Sequence, residues 1–150
     1  MRAVVQRVKR STVSVDGKVI GAIGKGLNVL LAVKNDDTVS EADYLTKKVM
    51  QLRIFNDENG KMNLSIQDVG GEILIISQFT LYGNCDKGNR PSYTDSASAE
   101  KAREMYVYFI DKLKTDYNIR VEAGEFQADM LVDIVNDGPV TLIVESRNKK

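Results

Sequence analysis

The chain predicts an α+β fold, a largely antiparallel sheet carrying two main helices, on the strength of three observations. Two stretches, 38–52 and about 99–114, repeat apolar residues every three or four positions, as a helix with one buried face does. Around them stand short runs that alternate or stay continuously apolar, the pattern of strands. Glycines and an Asp-Gly and an Asn-Gly pair punctuate those runs at turn positions. No repeat, low-complexity block or linker divides the 150 residues, so one domain over 1–150 is expected.

The elements follow in order. "AVVQRV" (3–8) alternates, with Val4, Gln6 and Val8 on one face and Val5 and Arg7 off it, and "STVSV" (11–15) alternates more clearly. Asp16-Gly17 then signals a two-residue hairpin into "KVIGAIGKG", and "LNVLLAV" (27–33) reads as a buried strand. "GAIGKG" lacks the Gly-Lys-Ser/Thr ending of a phosphate loop and reads as a turn. Thr38 with Glu41 forms a capping box, and Ala42, Leu45, Val49 and Leu52 give the helix behind it a buried face. "RIFNDENGKMNL" reads as two short strands around Asn59-Gly60. "GGEILIISQFTLYG" (70–83) is the most strand-like run, turning polar at Ser77, Gln78 and Thr80. A loop from Gly83 to Ser98 precedes the second helix, whose inner face carries Ala102, Met105 or Tyr106, Phe109 and Leu113. "IRVEAGEF", "DMLVDIV" and "VTLIVES" close the chain as strands, with "NDGPVT" (136–141) reading as a tight reversal between the last two.

Composition narrows the chemistry. Lys+Arg and Asp+Glu balance at 21 each, so only a local patch could argue for nucleic acid. No long apolar run or signal-peptide core appears, which predicts a cytoplasmic protein with no membrane association. The single cysteine, Cys85, forms no internal disulfide. There is no histidine at all, which excludes Ser-His-Asp and Cys-His catalysis and His-based zinc hydrolysis. An enzyme with this composition works through carboxylates, hydroxyls, lysine, backbone dipoles or its substrate's own groups, and neither metal nor cofactor is expected.

Three stretches could carry that chemistry. In "SQFTL" (77–81), polar groups end an apolar strand; a strand would put Ser77 and Phe79 on one side and Gln78 and Thr80 on the other. The same groups could equally serve only backbone partners, and a Thr80 nucleophile has no imidazole to activate it. In "KGNRPSY" (87–93), Lys87 and Arg90 near Tyr93 suit a phosphate backbone and a stacked base, or simply a solvated loop. The basic end "RNKK" reads as a solubilising tail. "NDGPVT" is either an ordinary turn or something more specific. A cis Gly-Pro peptide aligns two carbonyls on one side, with no Cβ on the glycine. Such a wall can hold an ammonium group while barring a side chain.

Taken together, "MRAVVQRV", "GKMNLSIQDVGGEILIISQFTLYG", "KGNRPSY" and "ADMLVDIVNDGPVTLIVES" resemble the D-aminoacyl-tRNA deacylases, in order and over essentially the whole chain. The resemblance implies that family's barrel-like fold, and hydrolysis of the ester joining a D-amino acid to the terminal adenosine of tRNA. It also implies action on glycine mischarged onto alanine tRNA. It implies a homodimer with sites at the interface, in which Gly138 and Pro139 of one subunit form a chiral filter in the pocket of the other. Phe79 and Thr80 would be the catalytic pair, acting chiefly through backbone groups, and Ser77, Gln78, Arg7, Phe126 and Met130 would support the pocket. Lys87 and Arg90 would contact tRNA, although "GNCD" (83–86) departs from the commonest family pattern. Two other readings stay open: a non-catalytic tRNA- or RNA-binding module, and a small-ester hydrolase dependent on Thr80 or a serine.

Overall fold

One strand organises the molecule. The computed structural model describes residues 1–146, and the basic end at 147–150 lies outside them. β1 (Arg2–Val15) pairs antiparallel along both edges. On one edge its first half faces β3 (Gly26–Ala32), from Arg2 opposite Ala32 to Val8 opposite Gly26, and its second half faces β2 (Lys18–Ile23). Asp16 and Gly17 make the β1–β2 turn at φ 50° and 78°, the left-handed pair that a two-residue hairpin requires. Along the other edge runs β8 (Leu131–Glu145).

β8 departs from the expected reversal at "NDGPVT". Both its flanks pair with β1 in the same antiparallel sense, so the chain continues instead of turning back. Two steps along β1, Gln6 to Val8, are matched by five along β8, Thr141 to Asn136; the surplus residues leave the ladder as a bulge. The turn chemistry of Asn, Asp, Gly and Pro is real, but a partner strand far away in sequence keeps both sides in line.

The rest of the sheet is parallel. β6 (Glu72–Ser77) lies beside β3 and β7 (Val121–Ala123) beside β6, each reached through a helical crossover. The sheet is therefore mixed, with the antiparallel pairing concentrated on β1. Gly26 permits the β3–β6 contact, because a Cβ there would stand 1.7 Å from the Glu72 carbonyl oxygen. Gly21 of β2 approaches the Ala123 carbonyl of β7, which brings the sheet close to closing as a barrel. The small hairpin of β4 (Phe55–Asn56) and β5 (Met62–Leu64) stands apart around Gly60.

Both helices cover one face. α1 (Val39–Gln51) opens on the expected box: Thr38 Oγ1 accepts the Ser40 N–H, and the Glu41 carboxylate accepts the Thr38 N–H. Its buried residues are Ala42, Leu45, Thr46, Val49 and Met50, while Leu52 caps the end and packs half-buried. α2 (Ala99–Asp116) buries Met105, Tyr106, Phe109 and Leu113. Ile73 and Ile75 of β6 face these helices with Leu27, Val29 and Leu31; Leu74 and Ile76 face the opposite cluster with Val8, Val13 and Ile23. On β1 the covered face carries Ala3, Val5 and Arg7. Met1 is fully buried, its amino group 2.7 Å from Asp37 Oδ2.

Candidate active site

A pocket of about 620 Å³ opens beyond the carboxyl ends of the parallel pair β3 and β6, where such sheets commonly bind ligands. Leu31, Ile76 and Ser77 come from the strands, Gln78 and Phe79 from the segment after β6, and Phe126 and Met130 from the chain between β7 and β8. Its space comes from small side chains: Ala97 lines it just before α2, and Ala99 and Ala102 in that helix's first turn. Tyr106 forms part of the wall, its hydroxyl donating toward the Ile75 and Gly124 carbonyls, 3.0 and 3.1 Å away. Burial pushes that hydroxyl up to about 12, so it stays neutral near pH 7. The Phe126 ring is 5.9 Å from the Tyr106 ring and carries the Arg103 guanidinium 4.9 Å over its face.

"SQFTL" does not continue as a strand. β6 ends at Ser77, and Phe79–Tyr82 wind into a short 3-10 helix, so the alternation of faces expected for residues 77–80 breaks there. Gln78 N–H donates to the Leu31 carbonyl at 2.8 Å, which ties the turn to β3. A helix start leaves its first amides without internal acceptors. Leu81 N–H closes on the Gln78 carbonyl at 3.2 Å, whereas the Phe79 and Thr80 amides have no acceptor among the described residues. The Thr80 hydroxyl accepts from the Gln78 side-chain amide, which is a donor and no base.

Gly138 and Pro139 occupy the β8 bulge, joined by a cis peptide bond. Asn136 closes the bulge from within: its Oδ1 accepts the Val140 N–H at 3.1 Å and its Nδ2 donates to Thr141 Oγ1 at 2.8 Å. Arg7 supports it from beneath. The buried guanidinium donates to the Asp137 carbonyl at 3.1 Å and to the Ile54 carbonyl at 2.7 Å, and lies 3.7 Å from the Asp137 carboxylate. A Cβ on Gly138 would come within 2.9 Å of Arg7 Nη2.

Five of the expected site residues therefore share one pocket: Ser77, Gln78, Phe79, Phe126 and Met130. Thr80 follows at its edge. Arg7, Gly138 and Pro139 form a second group that does not line the pocket of their own chain. Lys87 and Arg90 stand exposed on a loop pinched shut where Asn84 and Ser92 exchange backbone hydrogen bonds of 2.7 and 2.9 Å. The sequence pattern puts Ala102 and Met105 or Tyr106 on the inner face of the second helix as core and gives Ala97 and Ala99 no role; "ASAEKA" (97–102) held the signal, an unusually small face opening a helix. Among the described residues, no three His, Cys, Asp or Glu side chains gather to hold a metal ion, and no helix is long and apolar enough to cross a membrane.

Comparison with known proteins adds to this geometry. The model of the family described as D-Tyr-tRNA(Tyr) deacylase matches residues 4–145. A D-aminoacyl-tRNA deacylase of Thermosipho melanesiensis is 60% identical, with 98% of each chain covered. One from Clostridium novyi is 58% identical, with 99% of each covered. Among solved structures, the c-Myc DNA unwinding element binding protein superposes with a TM-score of 0.92 at 43% identity, covering 97% of this chain and 98% of that one. A probable eukaryotic D-amino acid tRNA deacylase superposes at 0.83 with 18% identity, over 96% and 98%, a likeness of fold.

Proposed function

We infer the function from one premise: the chain belongs to the D-Tyr-tRNA(Tyr) deacylase family. It is an ester hydrolase that cleaves D-aminoacyl-tRNA to free tRNA and amino acid. The observation that carries this is the match along nearly the full chain, 60% identical with 98% of both chains covered.

The site supports a mechanism with little side-chain chemistry. With no histidine in the chain, no imidazole can take a proton from a hydroxyl or a water. The 2′-hydroxyl of the terminal ribose instead positions or activates the attacking water. In this reading the Phe79 and Thr80 amides receive the oxyanion as it develops, which their lack of an acceptor among the described residues supports. Ser77, Gln78, Phe126 and Met130 enclose the terminal nucleoside and the ester.

Handedness is sensed by the Gly138-Pro139 bulge of a second copy. In this reading the protein is a homodimer, and the bulge of one subunit enters the pocket of the other. Two features support it: the bulge does not line its own pocket, and β8 leaves Leu131 and Ile143 exposed at 74% and 70%, a strand surface suited to cover. A thousandfold preference requires about 4 kcal/mol. One charge-assisted hydrogen bond to the substrate ammonium supplies about 1.5–3 kcal/mol. Exclusion of the L side chain by main chain supplies the rest. Glycine has no side chain to exclude, so glycyl-tRNA of the alanine type is also cleaved. The reaction belongs in the cytoplasm, where aminoacyl-tRNA is used.

A second reading, a nucleic-acid-binding module without catalysis, is favoured only by the name of the 43% identical DNA unwinding element binding protein. Matched D- and L-tyrosyl-tRNA separate the two. Accelerated decay of the D-ester alone is expected; unchanged decay of both leaves only binding, and equal acceleration of both removes the chiral filter.

A further inference from the structure

The structure brings together two stretches that lie apart in sequence, "SQFTL" and the loop "KGNRPSY". The rings of Phe79 and Tyr93 meet edge to face, centroids 5.1 Å apart and planes at 63°. Both are exposed, Phe79 at 55% and Tyr93 at 40%, although large aromatics usually bury most of their surface. Phe79 lines the pocket and Tyr93 does not, so the pair leads from the pocket to the outside.

The pair is also held in place. Tyr93 follows directly on the Asn84–Ser92 pinch, and its carbonyl accepts the Ser96 N–H at 3.1 Å. Ser96 Oγ in turn donates to the Phe79 carbonyl at 3.2 Å. The Tyr93 ring lies over Gly83, where a Cβ would stand 2.9 Å from its Cε1. Anchored aromatic faces at the mouth of a nucleoside-sized pocket, with Lys87 and Arg90 on the same loop, form a surface for a base next to a phosphate backbone.

Resting on the function proposed above, we propose that Phe79 and Tyr93 form a stacking platform for the nucleotide that precedes the terminal adenosine of the tRNA. A pocket of about 620 Å³ has room for one aminoacylated nucleoside, so the next nucleotide lies outside it, and this rim offers that nucleotide an exposed aromatic surface. Stacking needs only a π-face, so the contact is indifferent to base identity and does not require the Tyr93 hydroxyl.

The test compares two substrates, D-tyrosyl-tRNA and D-tyrosine esterified to the 3′-hydroxyl of adenosine alone, with wild-type protein, Tyr93→Ala and Tyr93→Phe. Tyr93→Ala is expected to raise KM for the tRNA ester about tenfold with kcat retained, while kcat/KM for the adenosine ester stays at the wild-type value. Tyr93→Phe is expected to restore the tRNA KM. Equal losses of Tyr93→Ala on both substrates would mean that the ring only props the pocket, and no loss on either would mean that nothing stacks there; both overturn the platform alone. Failure of the wild-type protein to cleave either ester would overturn the enzymatic reading and the platform with it.

Discussion

At the scale of single residues, the roles proposed for Thr80 and Gly138 rest on main chain and not on side chains. The Thr80 hydroxyl meets an amide donor and no base, so the role proposed for this residue lies in its backbone N–H. Thr80→Val is expected to keep D-tyrosyl-tRNA cleavage within about threefold of wild type, measured by single-turnover decay; a loss of about a thousandfold would restore the nucleophile. Gly138 sits at φ 126° with Arg7 Nη2 and Val140 Cγ2 both 2.9 Å from where a Cβ would be. Gly138→Ala is therefore expected to lower stability by about 1–3 kcal/mol in denaturant titration and to erode the D over L preference. What could be read from sequence at this scale was residue identity. The burial of Arg7 could not, because its partners at Ile54 and Asp137 are remote in the chain and an arginine on a strand is usually at the surface.

Elements show why some signals were legible. The Thr38 box, the Asp16-Gly17 hairpin and the Asn59-Gly60 turn are decided within a few residues, and each appears where expected. The 3-10 turn after Ser77 was not legible, because Leu31 on another strand anchors the Gln78 amide and bends the chain. Likewise "NDGPVT" has turn composition, yet β1 holds both its flanks in one strand. Pocket residues were legible through "SQFTL" and Met130; the space left by Ala97, Ala99 and Ala102 showed only as a run of small residues, which a helix start tolerates without any pocket beside it. Two predictions belong here. Gly26→Ala should abolish folding or lower Tm severely, since backbone of Glu72 occupies the new atom's place and neither strand can retreat without opening the sheet. Replacing Lys87 and Arg90 together by Ala should reduce the steepness of the log–log dependence of tRNA affinity on salt by about 1.4, or about 0.7 for each phosphate that is no longer neutralised. An unaltered slope would detach this loop from the RNA.

For the whole molecule, the proposed in-trans arrangement makes a prediction that no single chain can. A chain with Ala102→Trp, its pocket filled, and a chain with Gly138→Ala are each impaired; mixed and allowed to exchange, half the dimers would pair one of each. In such a dimer one of the two sites combines an intact pocket with an intact bulge, so about a quarter of wild-type selective activity should return. No recovery would assign both parts to the same chain. Glu72, elsewhere in the fold, contributes to acid stability. Its carboxylate is held below the ordinary glutamate value of 4.5, first by Arg120 and then by the Gly24 amide. A depressed pKa stabilises the fold above the ordinary range and is lost as protonation sets in below it. Glu72→Gln should therefore lower Tm by about 2–4 °C at neutral pH, a deficit that closes as the pH drops beneath 4.5.

β1 touches the strand that leads to the pocket on one edge and the strand that carries the bulge on the other. Both working surfaces are thus graduated along the same ruler, and neither can creep along the barrel without breaking rungs shared with the other. Loops and surface side chains can drift freely while each chain keeps the spacing at which it carries its own pocket and its own bulge, because that spacing is written in hydrogen-bond register.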